Sequence, residues 1–174
     1  MILIEPMMAA HLDEVLAIEQ LASPEPWTLG IFTDELNSNQ RAYYVAVEGP
    51  RIVGFAGLLM QTTDGHVANI AVDPAQRRRR IAARLLLALC RAAVARGAQA
   101  LTLEVRVSNS AARELYRRFG FAPAGVRPRY YADNGEDALI MWAHDVDTAA
   151  FGTRLAEIAQ WVDQHRPEQA RVPE

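Results

Sequence analysis

From residue 101 to 107 apolar and polar side chains alternate. Leu101, Leu103, Val105 and Val107 fall on one face, and Thr102, Glu104 and Arg106 on the other. That period of two predicts a strand covered on one side. Other stretches repeat at helical spacing. Leu12, Val15, Leu16 and Ile18 predict a helix over 8–21, and a long apolar pattern predicts another over about 79–96, stopped by Gly97. Pro24 and Pro26 fix φ and lack a donor, so the first helix cannot run through 22–27. Thr28 then caps a second helix carrying Ile31, Phe32 and Leu36. Strands are predicted at 2–5, 42–47, 52–61 and 66–72, the middle pair joined by Glu48-Gly49-Pro50-Arg51. After the alternating strand, Ser108 or Asn109 caps a helix through Leu115, Tyr116 and Phe119 that ends at Gly120. Two last strands fall near 121–126 and 138–142. Phe151, Leu155, Ile158 and Val162 then share one face of a helix from 148 to about 165, and 166–174 reads as a frayed end.

The order is β-α-α-β-β-β-α-β-α-β-β and a closing helix. It predicts an α/β (α+β) fold: a mixed, twisted central sheet of about six to seven strands flanked by helices. Residues 1–145 form the expected domain, and 146–174 a C-terminal helical extension and tail.

Composition narrows the function classes. The chain has 174 residues, 51% hydrophobic and 22% charged, with a net charge of −3. That suits one globular domain and excludes a disordered chain. A single cysteine, Cys90, excludes a disulfide scaffold, and the start resembles no signal peptide, so a soluble, cytoplasmic setting is expected. His11, His66, His144 and His165 show no ligand spacing with one another or with Cys90, so no metal is expected. All 18 basic residues are arginine, and Arg77-Arg78-Arg79-Arg80 are consecutive. A basic run raises nucleic acid as a partner, but the acidic balance disfavours a broad phosphate-binding face, so no nucleic acid is expected. The run follows a strand, Asn69-Ile70-Ala71-Val72, and a turn, Asp73-Pro74-Ala75-Gln76, and leads into a helix. Strand, tight loop and helix N-terminus together make an anion site, to which arginine adds charge-assisted bonds.

These residues resemble the acetyl-coenzyme A loop of the GNAT family of N-acetyltransferases, Q/R-x-x-G-x-G/A, filled here by Arg77-Arg78-Arg79-Arg80-Ile81-Ala82. Leu103-Glu104-Val105-Arg106, Ser108-Asn109-Ser110, Leu115-Tyr116-Arg117-Arg118-Phe119-Gly120-Phe121, Arg129-Tyr130-Tyr131, Glu136-Asp137-Ala138-Leu139-Ile140-Met141 and Pro26-Trp27 resemble the RimI branch, the ribosomal-protein alanine N-acetyltransferases. The resemblance covers about residues 1–145. It implies acetyl-CoA as cosubstrate and a protein N-terminus, such as that of a ribosomal protein, as acceptor. Glu104 would be the general base and Tyr116 the general acid toward the thiolate. Ile70, Ala71 and Val72 would offer backbone N–H groups to the thioester carbonyl. Arg77, Arg78, Arg79, Arg80, Ile81 and Ala82 would hold the pyrophosphate, and Asn109 would touch the pantetheine arm or serve only as a helix cap. Pro26, Trp27, Tyr130 and Tyr131 would wall the peptide groove, with Glu25, Glu136 and Asp137 favouring basic residues beyond the acceptor amine.

Arg80 departs from the pattern, because a glycine there lets the backbone approach the pyrophosphate without a Cβ. The expectation is that cofactor binding survives, with the Arg80 guanidinium replacing lost N–H contacts. The acceptor class follows from proton chemistry. Near pH 7.5 neutralising an α-amine of pKa ~7.7–8.0 costs well under ~1 kcal/mol, whereas lysine at ~10.4 costs roughly 4 kcal/mol. A single carboxylate base therefore suits an N-terminal amine. The alternatives are a lysine or small-amine acetyltransferase of the same fold, and a catalytically impaired acyl-CoA-binding regulatory module. The C-terminal helix is expected to cover the domain's own apolar surface.

Overall fold

The computed structural model describes residues 1–164. Its elements are β1 (Ile2–Pro6), α1 (Leu12–Ala22), α2 (Leu29–Leu36), β2 (Arg41–Glu48), β3 (Arg51–Gln61), β4 (Asp64–Val72), α3 (Ile81–Ala95), β5 (Ala100–Arg106), α4 (Ser110–Arg118), β6 (Ala122–Arg127), β7 (Ala138–His144) and α5 (Ala149–Asp163). They follow the expected order. His165 and the tail at 166–174 lie outside the described residues. The first helix begins as a 3-10 turn over Ala9–His11 before α1. The third begins at Ile81 rather than near residue 79, because Arg78 and Arg80 adopt left-handed φ values of 63° and 58° that an α-helix cannot contain.

The sheet has seven strands in the order β1-β2-β3-β4-β5-β7-β6. Every neighbouring pair is antiparallel except β4 and β5, which α3 joins as a parallel crossover. That parallel pairing is brief, running only from Asp64↔Ala100 to His66↔Thr102. Beyond it β4 stays paired with β3 as far as Gly54↔Val72, and β5 with β7 as far as Arg106↔Ala138. The sheet is thus two antiparallel halves that part at the carboxyl ends of β4 and β5. A register shift between Gly57 and Leu58, opposite Asn69 and Val67, adds local twist to β4 just past the last parallel pair.

Each face of the sheet carries a core. On one, α1 and α2 bury Val15, Ile18 and Phe32 against Val45 and Phe55. On the other, Leu85, Leu86 and Leu89 of α3 pack with Leu101, Leu103 and Met141. Val107, expected on the buried face of the alternating strand, is 41% exposed because β5 ends at Arg106. The α5 stripe of Phe151, Leu155, Ile158 and Val162 is buried in the α3-side core. Thr148 caps this helix by accepting from the Phe151 N–H.

Phe32 has no exposed surface and meets Tyr43 and Phe55 edge-on at ring separations of 6.4 and 5.4 Å. Phe32→Ala is expected to lower unfolding stability by about 3–5 kcal/mol with an unchanged denaturant slope. Urea titration measures both, and a loss below ~1 kcal/mol would contradict this packing.

Candidate active site

The loop between β4 and α3 is built residue by residue. The Asp73 carboxylate accepts from the Ala75 N–H at 2.9 Å, and Pro74 opens a 3-10 turn through Gln76. Arg77 is extended, and left-handed Arg78 and Arg80 fold the chain into the first turn of α3. For a residue with a Cβ the left-handed conformation costs roughly 1–2 kcal/mol. Arg80 therefore keeps the backbone geometry suited to glycine while bearing a long side chain. It is the N-cap of α3 and makes no side-chain cap. By contrast Thr28, Asn109 and Thr148 cap α2, α4 and α5 with side-chain oxygens. The first N–H groups of α3 thus receive no capping oxygen from their N-cap, which fits a phosphate at that end.

The four arginine side chains divide. Arg79 donates to both oxygens of Glu48, at 2.8 and 2.6 Å, and to Gln76; its hydrogen bonds hold the Glu48 carboxyl below the usual range. Arg80 donates to the Trp161 carbonyl of α5 and lies over the Trp161 ring, 4.2 Å from its centroid. The guanidinium expected to serve the pyrophosphate is engaged with α5. Arg77 and Arg78 flank the turn, and Arg78 is exposed.

Ile70, Ala71 and Val72 lie on the part of β4 that β5 no longer pairs. Alternate backbone groups on that edge have no strand partner, which leaves N–H donors for a ligand carbonyl. Across the opening Glu104 stands on the polar side of β5. Its carboxylate meets His66 Nε2 at 2.6 Å and Arg127 Nε at 3.4 Å, and its side chain is 14% exposed. In the tautomer with a proton on Nε2, His66 donates to Glu104 and fixes the carboxylate. The sequence pattern gives His66 no role, its spacing from the other histidines and Cys90 excluding it as a metal ligand. The contact depends on the parallel register of β4 and β5, which no local pattern reveals.

Tyr116, on α4, is half-buried with its ring 5.9 Å from Phe121. Burial, with a smaller effect from Tyr131, pushes its phenol up to about 12, so the hydroxyl keeps its proton throughout the neutral range. The Tyr131 phenol is likewise raised to about 12, chiefly by burial. Asn109 caps α4, accepting from the Ala112 N–H at 3.1 Å.

The two loops expected to wall the peptide groove are each tied to a strand of the opening. The Trp27 N–H donates to Glu19 at 3.2 Å, and Glu19, 2% exposed, also accepts from the Asn69 side chain of β4 at 3.4 Å. The Trp27 ring packs on Phe32 at 5.6 Å, while Pro26 is exposed. Tyr130 stands edge-on to Tyr131 at 5.1 Å, and Arg106 of β5 covers the Tyr131 ring at 4.0 Å. Arg106 also pairs with Asp133 at 2.8 Å and Glu136 at 3.3 Å. Glu136 accepts from Ser108 at 2.8 Å, and hydrogen bonds from Ser108, with help from Arg106, lower its pKa to about 2. Asp137 accepts from the Arg129 N–H at 2.8 Å. Glu136 and Asp137, expected to attract basic residues of a peptide, are therefore already engaged in fixing this loop. Glu25 is exposed. Glu19 escapes a sequence reading, although its place four residues after Val15 sets a carboxylate on the apolar face of a helix.

Cys90 is a buried thiol whose pKa burial raises, an inert packing residue. Among the described residues no His, Cys, Asp and Glu cluster could hold a metal, and no helix is long and apolar enough to cross a membrane.

The sheet splits beside an uncapped helix start, and residues 12–121 match the acetyltransferase (GNAT) family; the chain belongs to it. The family uses acetyl-CoA, so this protein is an acyltransferase. It is 35% identical over 145 residues to ribosomal protein bS18-alanine N-acetyltransferase of Haemophilus ducreyi, covering 80% of this chain and 97% of that one. It is 42% identical over 121 residues to N-alpha-acetyltransferase RimI of Mycobacterium tuberculosis, 67% and 75% of the two chains. The crystal structure of the ribosomal-protein-S18-alanine N-acetyltransferase of Escherichia coli matches with a TM-score of 0.77 at 32% identity, over 83% of this chain and 94% of that one.

Proposed function

We propose that the protein acetylates the N-terminal α-amine of a ribosomal protein by direct transfer from acetyl-CoA, with Glu104 as base and Tyr116 as acid. The observation that carries this reading is Glu104 on β5, held by His66 of β4 next to the last parallel pair before the opening. The relatives named for acetylating an alanine of ribosomal protein bS18 support the acceptor class.

Acetyl-CoA supplies a thioester acyl group. The N-terminal turn of α3, with Arg77 and Arg78 beside it, receives the diphosphate. N–H groups on the β4 edge around Ile70, Ala71 and Val72 orient the carbonyl and stabilise negative charge on its oxygen. Glu104 takes the proton that the attacking amine loses as its bond to the acyl carbon forms. Tyr116 gives its phenolic proton to the sulfur as the carbon–sulfur bond breaks. Asn109 lies at the start of α4, beside the path of the pantetheine arm. Trp27, Pro26, Tyr130 and Tyr131 hold the first residues of the peptide between rigid aromatic bodies.

Thiol release on mixing acetyl-CoA with short peptides tests the acceptor. A peptide beginning with a free alanine is expected to react. The same peptide with a blocked N-terminus and an internal lysine is expected to be silent. Equal release from both would favour a side-chain acetyltransferase instead.

A further inference from the structure

The far end of α5 closes onto the start of α3. Arginines at the start of α3 donate to two carbonyls in the last turn of α5. Arg80 donates to the Trp161 carbonyl; Arg84 donates to the Val162 carbonyl at 2.8 Å and to the Asp163 carboxylate at 2.9 Å. The Trp161 ring carries the Arg80 guanidinium at 4.2 Å and that of Arg118, from the end of α4, also at 4.2 Å. Neither Arg80 nor Arg118 has a carboxylate partner among the described residues. Trp161 is thus the shared support of two cations, one of which is the left-handed N-cap of α3. It also lies outside the stretch, 12–121, that matches the family.

We infer that Trp161 is a positioning residue for the acetyl-CoA loop. Its ring and carbonyl anchor the Arg80 side chain, and that anchor holds the Arg80 backbone at φ 58°, the conformation that starts α3 and presents its first N–H groups to the diphosphate. A glycine reaches that conformation without help; this chain uses an arginine and a clamp from its C-terminal helix. The inference rests on the loop being the diphosphate site.

A double-mutant cycle on the full chain tests it. Trp161→Leu removes the aromatic face while keeping an apolar side chain of moderate size. It is expected to raise KM for acetyl-CoA roughly 5- to 20-fold and to change kcat by less than about twofold. In an Arg80→Gly background the same substitution is expected to leave KM unmoved, because glycine needs no anchor. Trp161→Phe keeps a ring and is expected to raise KM by no more than about threefold; if Trp161→Leu does not fold, Trp161→Met, a longer apolar side chain with no aromatic face, takes its place in the cycle. Loss of α5 packing alone would lower Tm alike in both backgrounds and would not be rescued at KM. An equal rise in KM in the wild-type and Arg80→Gly backgrounds, or no rise in either, overturns the clamp while leaving the diphosphate site intact. If the wild type and every variant show no saturable dependence on acetyl-CoA, the loop assignment itself falls and the clamp with it.

Discussion

Glu104→Gln is expected to lower kcat by about 10²–10⁴-fold with little change in KM for acetyl-CoA. Glutamine keeps an oxygen that accepts from His66 Nε2, so the tie between β4 and β5 survives; what is lost is the ability to take a proton. The unchanged KM separates this from simple disruption. In the wild type, turnover rises as the peptide α-amine titrates near ~7.7–8.0. The deficit of the variant is expected across the whole range, because an amine that arrives neutral still loses a proton as its bond to the acyl carbon forms. Steady-state rates between pH 6.5 and 9.5 measure both. Turnover unchanged across pH would remove the base role from Glu104.

Tyr116→Phe is expected to lower kcat by about 10²-fold, again without a matching rise in KM, because only the hydroxyl is removed and the ring keeps its contact with Phe121. The residual rate should depend on the leaving group. A thioester whose thiol is more acidic needs no proton from the enzyme, so it should recover much of the loss. Burial raises the Tyr116 phenol to about 12, so it remains protonated at every pH where the enzyme would be assayed. An alkaline fall in rate below pH 10 is therefore not expected from this residue. A variant as active as wild type toward both thioesters would exclude Tyr116 as the acid.

What the sequence disclosed follows from how far apart the cooperating residues lie. Periodicity placed the strand bearing Glu104, the helix bearing Tyr116 and the buried stripe of α5, because each is a local pattern. The glycine-to-arginine departure at Arg80 was visible as a letter, but not its left-handed backbone or its engagement with α5. The Arg80–Trp161 contact spans 81 residues and the His66–Glu104 contact 38, and both depend on packing between elements that no window of sequence contains. The early end of parallel pairing at His66 is equally a property of the assembled sheet. Glu136 and Asp137 show the opposite failure: two acids that looked available to a peptide are engaged by Ser108, Arg106 and Arg129 at home.

The absence of lysine gains a consequence in this setting. A sequence whose basic side chains are all arginine offers the enzyme no lysine amine in these 174 residues to acetylate.

The central claim is that the acetyl group goes to an α-amine. It is tested most directly by incubating the protein with acetyl-CoA and one peptide that carries both a free N-terminal alanine and an internal lysine, then locating the acetyl group by fragment mass spectrometry. Acetyl on the N-terminal alanine alone is the predicted result, and acetyl on the lysine with the N-terminus left free would contradict it.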